Sequence, residues 1–199
     1  MNKALTWHLT EKEIFTSIKS RRLIGILTFV IMVTAGAFIY MPLPFTPVPI
    51  TLQTFFVLLC AAFLKPKDSI TALLSYMVLG VAGVPVFSGA LGGMAKFLGP
   101  TGGYIAGFIF AVFPISFLLE EGEKQQRAGF IRVAIAFSLG VLTIYLFGGL
   151  WLAFTMRFSF EQVLALGIMP FIAGDAFKLF FAAVLYSKAN NRIRCLFRG

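Results

Sequence analysis

The chain has 199 residues, 59% hydrophobic and only 13% charged, with a formal net charge of +9. Soluble domains carry about 25% charged residues, and a small domain leaves too much surface in water to hide so much apolar area, so the composition excludes a water-soluble fold and selects a lipid bilayer. The basic residues flank apolar runs rather than forming a patch, which excludes nucleic acid as a partner.

A membrane-spanning helix needs about 20 largely apolar residues, because the hydrocarbon core is about 30 Å thick and each residue rises 1.5 Å. Residues 1–22 read as a basic cytoplasmic arm containing His8, the only histidine, a solvated surface residue. Leu23–Tyr40 is free of charge and predicts the first span. Its Leu23–Val33 core and Ala35-Gly36-Ala37 resemble a signal peptide, but the long arm before it favours an uncleaved helix. Further spans are expected at Ile50–Leu64, which is short, and at Ser69–Phe87, Thr101–Leu119 and Phe130–Met156. A sixth is expected at Pro170–Ser187, preceded by a short interfacial helix over Phe160–Leu166, and residues 188–199 form a basic tail. The expected architecture is therefore one all-α membrane domain over 1–199, a compact bundle of six transmembrane helices.

Orientation follows from the Lys and Arg residues between spans. With the N-terminus inside, fourteen of the seventeen fall on the inner side; only Lys96 and Arg157 fall outside, and Lys178 lies within the sixth span. The asymmetry predicts an even number of spans, both termini in the cytoplasm and a multi-pass protein of the cell membrane. Cys60 and Cys195 fall at different depths, so no disulfide is expected. Without histidine in the apolar body, neither a metal centre nor a His-based catalytic triad is expected, and no cofactor is implied.

Three features can carry chemistry. Asp175 is the only acid inside an apolar span and Lys178 the only base well inside one; three residues apart, they share a helix face. An unpaired charge at that depth costs several kcal/mol, so the pair either fastens helices by mutual neutralisation or marks a polar binding point facing a cavity, the commoner use of intramembrane charges. With the helix starting at Pro170, Asp175 would lie about 7.5 Å below its outer end. Pro42, Pro44, Pro47 and Pro49 forbid helix and predict an extended, polyproline-like segment, either a lid carrying Phe45 and Val48 or a stiff connection. It leads into Thr51 and Gln53, whose side chains donate and accept hydrogen bonds. The third feature is a glycine-rich stretch containing Gly80, Gly83, Gly89, Gly92, Gly93, Gly99, Gly102 and Gly103. Such a stretch serves close helix packing or presents bare N–H groups to a ligand. It lacks the Lys-Ser/Thr ending of a phosphate loop.

Pro47-Val48-Pro49-Ile50-Thr51-Leu52-Gln53-Thr54, then Gly99-Pro100-Thr101-Gly102-Gly103-Tyr104 with Gly107-Phe108, then Pro170 through Gly174-Asp175 with Lys178, resemble the BioY family, the biotin-specific substrate-binding (S) components of energy-coupling factor (ECF) transporters. The resemblance covers the chain from the first span to the sixth. It implies a bundle that binds biotin with high affinity and mediates its uptake. The implied partners are an ECF transmembrane coupling protein, which S components commonly meet through an Ala-x-x-x-Ala face on helix one, and two cytoplasmic ATPase subunits. Here the nearest register holds Val30 and Thr34 instead. The ligand-binding residues it implies are Thr51, Gln53, Phe87, Ser88, Gly89, Gly92, Tyr104, Asp175 and Lys178. Asp175 would accept from a ureido N–H, Lys178 would donate to a ligand oxygen, and Phe87 and Tyr104 would flank the apolar middle. The other readings are an S component for a different water-soluble vitamin, a structural membrane subunit, and an intramembrane enzyme, which a single intramembrane acid does not equip.

Overall fold

The computed structural model describes residues 18–124 and 129–198. Most of the basic N-terminal arm, His8 included, lies outside the described residues. In chain order the elements are α1 (Ile18–Phe38), β1 (Tyr40–Met41), β2 (Ile50–Thr51), α2 (Gln53–Phe63), α3 (Pro66–Val81), α4 (Met94–Phe97), α5 (Gly102–Lys124), α6 (Phe130–Met156), α7 (Phe160–Gln162), a π-helical turn (Val163–Ile168) and α8 (Met169–Arg198). Among the described residues four helical stretches are long and apolar enough to cross a membrane: Lys19–Phe38, Gly102–Glu120, Phe130–Met156 and Phe160–Ala189.

The two remaining long helices are shorter than a span. At 1.5 Å per residue, α2 reaches about 16 Å and α3 about 24 Å. Protein rather than lipid surrounds α2, since nine of its residues are buried, so its length need not match the bilayer. The expected second run loses its start to β2, which pairs antiparallel with β1 in the register Tyr40↔Thr51 and Met41↔Ile50. The proline segment is thus a loop that returns on itself, not one continuous extended strand. The expected third span stops at Val81, short of Phe87. Gly83 adopts a left-handed φ of 102°. Its N–H donates to the Gly80 carbonyl (3.1 Å) while that of Val84 donates to Leu79 (3.0 Å), the paired bonds of a glycine-terminated helix end.

At the other end of the bundle α1 begins at Ile18, earlier than expected, so the last residues of the basic arm are helical. The Arg22 guanidinium grips both Asp68 oxygens, through Nε (3.1 and 3.0 Å) and Nη2 (2.6 Å to Oδ1). This fork fastens the start of α1 to the first turn of α3.

The sixth span also differs from expectation. The interfacial helix and the sixth helix are one helical rod, α7 running through the π turn into α8, with Pro170 inside it and the Leu166 carbonyl, four residues before the proline, taken by a side chain instead. Asp175 therefore lies near the middle of the Phe160–Ala189 stretch, not about a turn and a half from its outer end. The π turn frees carbonyls that side chains then cap: Thr46 donates to Leu166 (2.6 Å) and Tyr104 to Gly167 (2.7 Å).

Helices α5 and α6 pack through glycines. A Cβ at Gly103 would collide with the Trp151 side chain and come within 2.6 Å of the Phe147 carbonyl, and one at Gly148 would enter the Tyr104 ring. Gly107, one turn on from Gly103, lies over the Ile144 backbone, so the pair reproduces the small-x-x-x-small spacing of close membrane helices. Outward faces carry large apolar side chains, with Phe117, Ile131, Leu150 and Phe154 all more than 60% exposed, as a surface solvated by lipid requires.

Candidate ligand-binding site

A cavity of about 560 Å³, counted with its open mouth, lies between α2, α5, α6 and α8. Asp175 and Lys178 project into it from one face of α8, Tyr145 and Ile144 from α6, and Tyr104, Ile105 and Phe108 from α5. Gln53 and Thr54 come from the first turn of α2, Val48, Pro49 and Thr51 from the proline loop, and Ser88 from the turn after α3.

The charges are paired inside this wall. Lys178 Nζ donates to Asp175 Oδ1 (2.7 Å), and the Tyr145 hydroxyl donates to Oδ2 (2.6 Å). The side chains of Asp175 and Lys178 are 7% and 13% exposed. Each carboxylate oxygen holds two lone pairs and the ammonium three protons, so both groups retain hydrogen-bonding capacity toward a ligand. Gln53 is oriented from behind: its Nε2 donates to the Tyr76 hydroxyl (2.6 Å), which donates to the Val86 carbonyl (3.2 Å). Phe108, Phe171 and the ring of Tyr104 supply apolar wall between these polar groups.

Of the residues expected at a site, Thr51, Gln53, Ser88, Tyr104, Asp175 and Lys178 share this cavity, and Phe87, Gly89 and Gly92 lie outside its wall. Phe87 is fully buried behind it, edge-on to Tyr76 (5.6 Å between centroids) and packed over Gly80. Gly92 lies against the carbonyls of Gly83 and Val84. Gly89 lines a second cavity nearer the proline loop. The hydroxyl of Tyr104 is engaged by Gly167, so only its ring faces the cavity freely. Of the two residues named as a potential lid, Val48 is buried in the wall while Phe45 is 57% exposed and points elsewhere. Tyr145 was not foreseen: it is one aromatic in an otherwise apolar helix, and only the approach of α6 to α8 gives its hydroxyl a partner.

Several apolar membrane-length helices around a cavity with a neutralised charge pair define a polytopic helical membrane protein with a small-molecule site. The chain belongs to the BioY family, whose pattern matches residues 9–194. Among its relatives is a probable biotin transporter BioY of Pyrococcus horikoshii, 38% identical over 174 residues, which cover 87% of this chain and 98% of the relative. The biotin transporter BioY of Thermotoga maritima is 38% identical over 165 residues, 83% of this chain and 93% of the relative. The fold is similar to the crystal structure of an S-component for biotin from an ECF-type ABC transporter, with a TM-score of 0.78, 27% identity and coverage of 91% of this chain and 93% of that one.

Proposed function

We propose that the chain is the biotin-binding membrane subunit of an ECF transporter and mediates biotin uptake across the cell membrane. The observation that carries this reading is the Lys178–Asp175–Tyr145 network set in an apolar cavity of a BioY-family bundle. The ureido head of biotin lies at Asp175 and Lys178, its ring system against Tyr104, Phe108 and Phe171, and its carboxylate toward Thr51, Gln53 and Ser88. Tyr145 joins the site as the residue that fixes the Asp175 carboxylate.

Transport needs energy that this chain does not supply, since it carries no Gly-x-x-x-x-Gly-Lys-Ser/Thr loop. A membrane coupling protein and two cytoplasmic ATPase subunits complete the machine, and the chain itself is not an enzyme. In a thermal-shift panel of water-soluble vitamins, biotin alone is expected to raise the melting temperature of the purified protein, because only a ligand of the folded state stabilises by mass action. The same preparation is expected to hydrolyse no ATP. Stabilisation by a different vitamin, or turnover intrinsic to the chain, would overturn the assignment.

The helices cross the membrane six times with both termini inside. The short α2 crosses as an inner member of the bundle, with α3 beside it. The division of Lys and Arg between the two sides supports this orientation. Fusion reporters placed at Lys67 and Lys124 are expected to report the cytoplasm, and those at Lys96 and Arg157 the exterior; a cytoplasmic signal at Lys96 contradicts the topology.

A further inference from the structure

A second cavity adjoins the first. It lies between the proline loop and the turn after α3, and the two share Pro49 and Ser88 in their walls. Its lining holds one charged side chain, Lys96, and no carboxylate. Among the described residues Lys96 makes no ion pair. Two further donors belong to residues of the same lining. The backbone N–H groups of Ser88 and Gly89 donate to no described group, because only Phe87 and Leu91 close the turn, through Phe87 N–H to Leu91 O (2.9 Å) and Leu91 N–H to Phe87 O (3.4 Å). The Ser88 hydroxyl makes no hydrogen bond to a described residue either, although Ser88 is 8% exposed. Gly89 holds the turn open with a φ of 80°. One cation and several unused N–H and O–H donors around a single hollow, without an acid to answer them, form an anion site.

We propose that this outer hollow captures the carboxylate of the incoming ligand, with Lys96 attracting it and the Ser88–Gly89 turn receiving it before the molecule passes Pro49 and Ser88 into the inner cavity. The inference rests on the reading of the inner cavity as a site for biotin, a monoanion at neutral pH. Since a rim charge acts on encounter more than on residence, Lys96 governs the association rate and its dependence on salt.

The test uses the full chain in nanodiscs of phosphatidylcholine, rapid mixing with radiolabelled biotin, and trapping with unlabelled biotin. Lys96→Glu and Lys96→Gln are compared with wild type and with Arg157→Gln, a cation outside the hollow. At about 20 mM salt, association with Lys96→Glu is expected to fall roughly five- to tenfold, a fraction of the range open to electrostatic steering, with dissociation nearly unchanged. Near 0.5 M salt the difference should largely vanish. Biotinamide, which lacks the charge, should associate equally fast with all variants. An unchanged rate for Lys96→Glu at low salt overturns the proposal, as does equal slowing of biotinamide, which reports damage to the loop. Absence of biotin binding by the wild type would instead remove the functional reading and the proposal together.

Discussion

Asp175→Asn is expected to weaken biotin binding about ten- to a hundredfold in a protein that still folds. The substitution keeps the shape of the side chain and removes its charge. A hydrogen bond to a charged group contributes roughly 1.5 to 3 kcal/mol, and 1.4 kcal/mol is tenfold in affinity. The structure adds a second reason. Asp175 receives Lys178 on one oxygen and Tyr145 on the other. An Asn in its place accepts on one atom only and turns N–H donors toward one of those partners. Lys178→Met should weaken binding too, leaving the Asp175 carboxylate buried with Tyr145 as its remaining partner. The double variant Asp175→Asn, Lys178→Met separates the two roles of the pair. Removing a whole buried ion pair is often nearly neutral for folding, so the double variant should fold well and still bind poorly. Binding at the wild-type level by that folded variant would reduce the pair to a helix fastener.

Gly103→Leu is expected to abolish the folded protein. At this position α5 runs against α6 so closely that a single methyl group already meets Trp151 and the Phe147 carbonyl. The backbone of α6 cannot yield without displacing Tyr145, which holds Asp175 from the same helix. Ordinary overpacking costs about 1–3 kcal/mol, and here the obstruction includes backbone, so the loss should exceed that range. Size-exclusion chromatography in detergent is expected to show aggregate in place of a monodisperse peak. A well-behaved, biotin-binding Gly103→Leu protein would contradict the packing of α5 on α6.

The glycine stretch shows where sequence was legible and where it was not. One of its two candidate roles is visible at Gly103 and Gly107, which serve helix packing, whereas Gly89 sits in a turn where its own N–H and that of Ser88 donate to no described group. Composition alone could not assign them, because both roles ask for the same missing side chain. Helix α6 was legible to the residue, Phe130–Met156, because its apolar run ends on both sides in polar chain. The pairing of Asp175 with Lys178 followed from their spacing. Tyr145 was hidden because its significance depends on a residue thirty positions away. Phe87, expected beside the ligand, fills the notch over Gly80, because in sequence an aromatic beside a polar turn looks alike in either place. The position of Asp175 along its helix differs from expectation because Pro170 suggested a helix start, while the π turn carries the helix through it.

Native mass spectrometry of the protein purified from cells grown with biotin shows whether the inner cavity holds that ligand. An adduct of one biotin per chain is expected, replaced by isotope-labelled biotin on exchange and much reduced in Asp175→Asn. A chain that carries a different small molecule in that position, or that stays bare when biotin is added, would contradict it.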